Sequence, residues 1–311
     1  MNDQSASPLR TFEERLRAGR FVITAEVAPP VSCDAQDLLR KAAPLHGLAD
    51  AVNVTDGAGA RAHMSALAAA AILIGAGIEP ILQITCRDKN RIALQSEMMG
   101  AAALGIRNLL LLTGDDPKAG DQPDTKPVFD IDSKTLIETA RRLRDEGMLP
   151  TGRKVAGKAE FFLGATDMPI DPPAGWQPSA LVGKLAAGAQ FVQTQFCMDA
   201  AIVRRYVGRL AEAGLTPQLA ILIGINPLPS AKSAQWMKSH LYGTIIPDAL
   251  IARMEKAADP FHEGVHICVE LIEELSTIPG IAGVHIMAPG NDAAIPEVIA
   301  EARARVQRAA V

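Results

Sequence analysis

No stretch of this 311-residue chain reaches the ~18 uninterrupted apolar residues of a membrane-spanning helix, and its opening segment (MNDQSASPLRTFEERLRAG) holds no apolar run of signal-peptide type. Both absences point to a cytoplasmic location. Cysteine is scarce. Cys33, Cys86, Cys197 and Cys268 form no CxxC pair, so neither a disulfide framework nor a zinc ribbon is indicated, and each is expected as a small buried residue. An excess of one charge sign is missing as well: 31 Lys and Arg face 35 Asp and Glu, for a net charge of -4. That balance gives no long-range attraction for nucleic acid or an anionic membrane. There is no GxGxxG after a first strand, no Walker-type phosphate loop and no GxSxG elbow, which excludes the commonest nucleotide-fold and hydrolase readings. The six histidines supply no metal site, because His262 and His266 share an i, i+4 spacing without the acidic partner of a zinc enzyme and read as a solvated or capping pair.

What is present is the composition of a soluble globular enzyme, 48% hydrophobic and 21% charged. Short β-branched or apolar runs at 21–26, 51–55, 80–85, 108–113, 156–164, 191–196, 218–224 and 283–287 read as eight strands. Segments of helical period at 34–44, 61–76, 90–104, 132–146, 180–187, 199–213 and 233–254 alternate with them, several ending on glycine. The eighth unit has extra helical material at 247–276, and a last helix at 294–308 closes the exterior. Parallel strands need helical crossovers, and eight of them close at a diameter that side chains can fill. The expected architecture is therefore a single α/β domain over 1–311, a (β/α)8 barrel of TIM type with extra helices before the last strand. Two turn-rich insertions, 116–127 (DPKAGDQPDTKP) and 167–178 (DMPIDPPAGWQP), fall on the strand-to-helix side, where such barrels keep their active sites.

The strand ends on that side are polar: Glu26, Thr55 and Asp56, Gln83 and Thr85, Thr113 and Asp115, and Gln193 to Gln195. Glu26 lies in an apolar strand (FVITAEVAPP) ahead of two prolines that turn the chain away. A carboxyl in such surroundings is either held in a structural ion pair or kept neutral by desolvation, and in the second case it can serve as a general acid near neutral pH. Gly114, before Asp115, lets backbone approach a ligand closely.

Taken in order, EVAPP, VNVTDGAG, PILQITCRDKNRIALQSEMMGAAALGIRNLLLLTGDDP, GAQFVQTQF and GVHIMAP resemble the methylenetetrahydrofolate reductase family over nearly the whole chain, most specifically from ITCRDKN to TGDDP. The resemblance implies FAD across the barrel mouth, NADH or NADPH as electron donor or acceptor, and ping-pong interconversion of 5,10-methylenetetrahydrofolate and 5-methyltetrahydrofolate, in methionine synthesis or in demethylation metabolism. By the same resemblance Glu26 is the general acid on folate N10, Asp115 stabilises the cationic iminium and tunes the flavin, and Gln195 hydrogen-bonds folate. Thr55, Gln83, Thr113, Gly114, Asp130 and Lys184 fall at cofactor positions. The chain departs from well-known bacterial members in having Thr113 for an arginine, Gln83 for a histidine, Ala231 for an aromatic residue, and Phe129-Asp130 in a tyrosine region. Those departures leave open direct hydride transfer without flavin, or a folate-binding subunit that works with an electron-transfer or methyltransferase partner. A homo-oligomer is the family expectation.

Overall fold

Eight parallel strands follow one another around a closed barrel in chain order: β1 (Val22–Val27), β2 (Ala51–Val54), β3 (Pro80–Thr85), β4 (Asn108–Leu112), β5 (Phe162–Asp167), β6 (Phe191–Phe196), β7 (Ala220–Ile225) and β8 (Ile281–Ile286). The computed structural model in which they are seen describes residues 11–309. Closure comes from β1 pairing with β8, Val22 opposite Gly283 and Ala25 opposite Ile286. Side chains alternate across each strand. Ile23, Ala25 and Val27, for example, join the apolar layer under the helices, while Val22 belongs to a separate cluster inside the barrel.

The outer ring is α2 (Ala35–Ala42), α3 (Ala66–Gly75), α4 (Arg91–Ala103), α5 (Ser133–Asp145), α6 (Ser179–Ala187), α7 (Ala200–Glu212), then three helices before the last strand, α8 (Ala231–His240), α9 (Asp248–Glu255) and α10 (Pro260–Ser276), and finally α11 (Ile295–Ala309). Side-chain N-caps start several of them: Asp34, Asn90, Asp132, Asp199 and Asp259 each accept from a backbone N–H in the first turn. His262 adds its ring to the Asp259 cap, Nδ1 lying 2.7 Å from the carboxylate. Among the described residues, no helix is long and apolar enough to cross a membrane.

One helix was not expected. A short α1 (Phe12–Arg17), opened by a capping box between Thr11 and Glu14, seals the N-terminal end of the barrel. Fully buried Phe12 meets the rings of Phe162 at 5.9 Å and Phe191 at 5.3 Å edge-on, above Val22, Ala51, Ile81, Leu110 and Leu222. Gly164 makes room for this plug, since a Cβ there would lie 2.2 Å from the Phe191 ring. The buried carboxylate of Asp50 clamps the same end, accepting from Arg15 at 2.6 Å and from the Ile23 N–H at 2.7 Å, and pairing with Arg303 at 2.9 Å.

Other boundaries move for local reasons. The helix expected at 61–76 begins only at Ala66, because Met64 N–H donates to Pro30 O and the His63 ring sits 2.8 Å from Pro29 O, tying 63–64 to the loop after β1. The helix expected at 233–254 is two, interrupted where Gly243 adopts φ +77 and Ile245 exchanges backbone hydrogen bonds with Phe196 and Met198, extending β6. The fifth strand runs Phe162–Asp167 in place of 156–164; Gly157, at φ +87, lies in the turn before it. Cys86, Cys197 and Cys268 are buried as expected, but Cys33 is exposed on the loop after β1.

Candidate active site

Inside the barrel, above the apolar plug, four strands contribute one polar side chain each: Thr24 (β1), Asn53 (β2), Gln193 (β6) and His285 (β8), all almost fully buried. Unpaired, such groups would each cost about 1–3 kcal/mol; here they satisfy one another. Asn53 Nδ2 donates to Gln193 Oε1 at 2.5 Å, and Gln193 Nε2 donates to Asn53 Oδ1 at 3.1 Å and to Thr24 Oγ1 at 3.0 Å. Thr24 Oγ1 in turn lies 3.0 Å from His285 Nδ1.

Glu26 stands on this floor. It is the next inward residue of β1 after Thr24, and its Oε2 lies 3.7 Å from His285 Nε2 and accepts from Gln83 Nε2 at 3.4 Å. The carboxyl is about a quarter exposed, and Glu26 lines a cavity together with Arg40 and Lys41 of α2 and Asp292 after β8. Gln83, expected at a cofactor position, is thus beside the candidate acid.

The mouth above β2, β3 and β4 is knit by charge. Asp56 accepts from the N–H and hydroxyl of Thr85 at 2.9 and 3.0 Å and pairs with Lys89 at 2.7 Å; Lys89 also pairs with Glu97 at 2.6 Å. Burial works against the Lys89 ammonium, but the two carboxylates outweigh it and hold it above the ordinary lysine value. Arg87, 4% exposed, grips Asp88 and donates to Gly57 O at 3.1 Å, while its buried Nη1 has no partner. Gly114, at φ +96, fits against Arg87 and Thr85, where a Cβ would come within 3.0 Å of the Arg87 Cβ. Asp115 follows, exposed, accepting from Gly59 N–H at 3.0 Å. Glu26 thus touches Gln83 of β3, and two residues further along that strand Thr85 begins a second set of contacts, through Asp56, Gly57 and Arg87, to the loop that holds Asp115.

The other expected residues are distributed around this opening. Thr55, at the end of β2, is buried with an unpartnered Oγ1. Thr113 is exposed at the tip of β4. Gln195, at the end of β6, spends both amide atoms locally, donating to Tyr242 O at 3.2 Å and accepting from Phe196 N–H at 3.0 Å. Lys184 of α6 donates to Thr166 O at 2.5 Å, and burial lowers its proton affinity against the opposing pull of Asp167. Asp130 lies apart, paired with Arg91 at the start of α4, whose hydrogen bonds hold its carboxyl well below the usual range. The insertion at 167–178 is pinned by Asp171 to Arg205 at 2.7 Å and by Trp176 packing on Tyr206.

Sequence reading passed over Thr24, Asn53, His285 and Arg87 as site residues. A signal existed for three of them, since a polar residue in an apolar strand at the inward phase (VITAEV, AVNV, IAGVHI) marks a buried polar layer. Asn226 repeats it after β7, with neither amide atom partnered.

The chain matches the family model described as methylenetetrahydrofolate reductase over residues 11–303. A Caenorhabditis elegans protein named "Probable methylenetetrahydrofolate reductase (NADPH)" is 26% identical over 239 residues, 74% of this chain and 33% of that protein, so the chain spans about a third of the length of this relative. A Clostridium thermocellum protein described as binding two copies of 5-methyl-5,6,7,8-tetrahydrofolic acid shares the fold, with TM-score 0.65 and 14% identity over 95% of this chain and 99% of that one. An EDTA monooxygenase from Chelativorans sp. BNC1 shares it more distantly, with TM-score 0.53 and 12% identity over 93% and 94% of the two chains.

Proposed function

Because the chain belongs to the methylenetetrahydrofolate reductase family, we propose that it interconverts 5,10-methylenetetrahydrofolate and 5-methyltetrahydrofolate at the C-terminal mouth of its barrel, with FAD as hydride carrier and NADPH or NADH as the nicotinamide partner. The observation that carries this reading is Glu26, set between Gln83 and His285 over a buried polar floor, with the Asp115 loop following β4 on the same strand-end side of the barrel. In this reading the Glu26 carboxyl protonates folate N10 and opens the five-membered ring to an iminium, which the Asp115 charge stabilises. Gln195 turns its amide from Tyr242 to the pterin. The relatives support the folate side, one by its family name and one by the methyltetrahydrofolate it is described as binding.

The residues present fit a flavin's polar groups: Thr55 Oγ1 and Arg87 Nη1 are buried hydrogen-bonding atoms without protein partners at the mouth, and Gly114 brings backbone close to Arg87 and Thr85. A flavin held there would supply two-electron transfer between nicotinamide and folate. A second reading, direct hydride transfer from nicotinamide to folate, is favoured by Lys184 and Asp130, whose polar groups are already engaged by Thr166 and Arg91. An absorption spectrum of the purified protein, followed by anaerobic titration with NADH, NADPH and methyltetrahydrofolate, separates the two. Bleaching of a flavin band by nicotinamide and by methyltetrahydrofolate is the expected result. A colourless protein that resists FAD reconstitution yet reduces methylenetetrahydrofolate selects direct transfer.

A further inference from the structure

The four-residue floor has one exit, and it leads to Glu26. We infer that His285 is a positioning residue, held by Thr24 as a neutral imidazole that carries its proton on Nε2, and that this N–H eases loss of the Glu26 proton to substrate. The inference rests on the general-acid reading of Glu26 given above.

Donor and acceptor accounting carries it. Gln193 Nε2 has two hydrogens, one taken by Asn53 Oδ1 and the other by Thr24 Oγ1. Thr24 Oγ1 therefore accepts from the floor and keeps one hydrogen to give. That hydrogen can go to Val284 O at 3.3 Å, with the second hydroxyl lone pair then accepting from His285 Nδ1, or to His285 Nδ1 itself at 3.0 Å; the shorter contact assigns it to the ring nitrogen. An imidazole that accepts at Nδ1 is neutral and bears its hydrogen on Nε2. That nitrogen is the one facing Glu26 Oε2, at 3.7 Å.

Arg40 and Lys41 of α2 and Asp292 after β8 line the same cavity as Glu26, but Arg40 pairs with Asp37 and Lys41 with Asp292 at 3.5 Å. From β2, β3 and β6 the facing side chains are the uncharged amides of Asn53, Gln83 and Gln193, and β7 brings Gly224, paired in register with His285. Among the described residues His285 is the sole ion-pair contact of Glu26. The charged residues of the rim are committed elsewhere, Asp56 and Glu97 to Lys89, and Arg87 to Asp88. His285 cannot pass a proton inward, because beyond Thr24 lie only carboxamides. Its effect on Glu26 is electrostatic: an N–H directed at the carboxyl favours its ionised form, which is the form left after proton donation.

Two measurements test this. Nitrogen-15 NMR of histidine-labelled, ligand-free protein should show His285 neutral with Nε2 protonated at pH 7, and T24V should shift the ring toward Nδ1 protonation or the doubly protonated form. Finding Nδ1–H or imidazolium in the wild type overturns the inference. In the pH profile of folate reduction, the alkaline limb marks loss of the Glu26 proton. H285N, whose amide is too short to reach, should move that limb upward by about one pH unit, and H285Q, whose Nε2 can stand in for the ring nitrogen, should return it toward the wild-type position. A limb that stays put in H285N, or moves equally in H285N and H285Q, also overturns it. If the wild type turns over no folate, the functional reading fails instead, while the NMR result on free protein still decides the state of His285.

Discussion

A side chain that donates a proton must hold it until substrate arrives, whereas one that stabilises a cation must already be charged. The proposed reading gives the first task to Glu26, a quarter exposed above a buried polar layer, and the second to Asp115, exposed beside a backbone N–H. Glu26→Gln should slow folate reduction by about 10²–10⁴-fold, the usual worth of general acid catalysis, while nicotinamide oxidation in the other half-reaction continues; stopped-flow measurement of each half-reaction checks this, and equal losses in both would remove Glu26 from its role. Asp115→Asn, which deletes charge with little change of shape, should slow the folate half-reaction more than the nicotinamide one in the same assay. Away from the mouth, the buried Tyr206 hydroxyl donates to Asp167. Burial first, and the neighbouring carboxylate second, hold the Tyr206 proton well above the ordinary tyrosine value. Stability owed to the neutral phenol is then complete below pH ~10 and is lost as pH climbs through the raised folded-state value. Tyr206→Phe should cost about 1–3 kcal/mol by leaving the Asp167 carboxylate short of a donor. Urea melts would measure that loss, and an ultraviolet difference titration of wild type against the variant should reveal Tyr206 phenolate only with alkaline unfolding.

Elements differ in how they announce themselves. β3 and β4, PILQIT and NLLLL, are apolar runs between helical segments and were legible as strands. β5, FLGATD, was misplaced toward 156–164, because its glycine serves the packing of Phe191, a contact between distant positions that no local pattern records. The break between α8 and α9 arises in the same way, from Ile245 bridging Cys197 just past the end of β6. α1 went unread since only six residues long, with a single fully buried side chain, it has no periodicity to detect. Its contribution is nonetheless large. Phe12→Ala should destabilise the protein by about 3–5 kcal/mol, seen as a lower urea midpoint with an unchanged slope; a loss below 1 kcal/mol would mean that the barrel end closes without it. Within the candidate site, residues on strand tips such as Glu26 were visible from sequence, while the partners that orient them, His285 and Gln193, needed the barrel to close before their proximity could be known.

For the molecule as a whole, the two ends of the barrel are unlike. Phe12 and its neighbours, backed by the Asp50 clamp, stop one end with packed rings; glycines, carboxylates and unpartnered donors frame the other. A barrel filled in this way is a cul-de-sac. If both partners of the proposed reaction use that one door, they must take turns. On the proposed reading, folate supplied in excess would then stand in the doorway against nicotinamide, and steady-state rates should pass through a maximum and decline as folate rises, with the decline relieved by more nicotinamide.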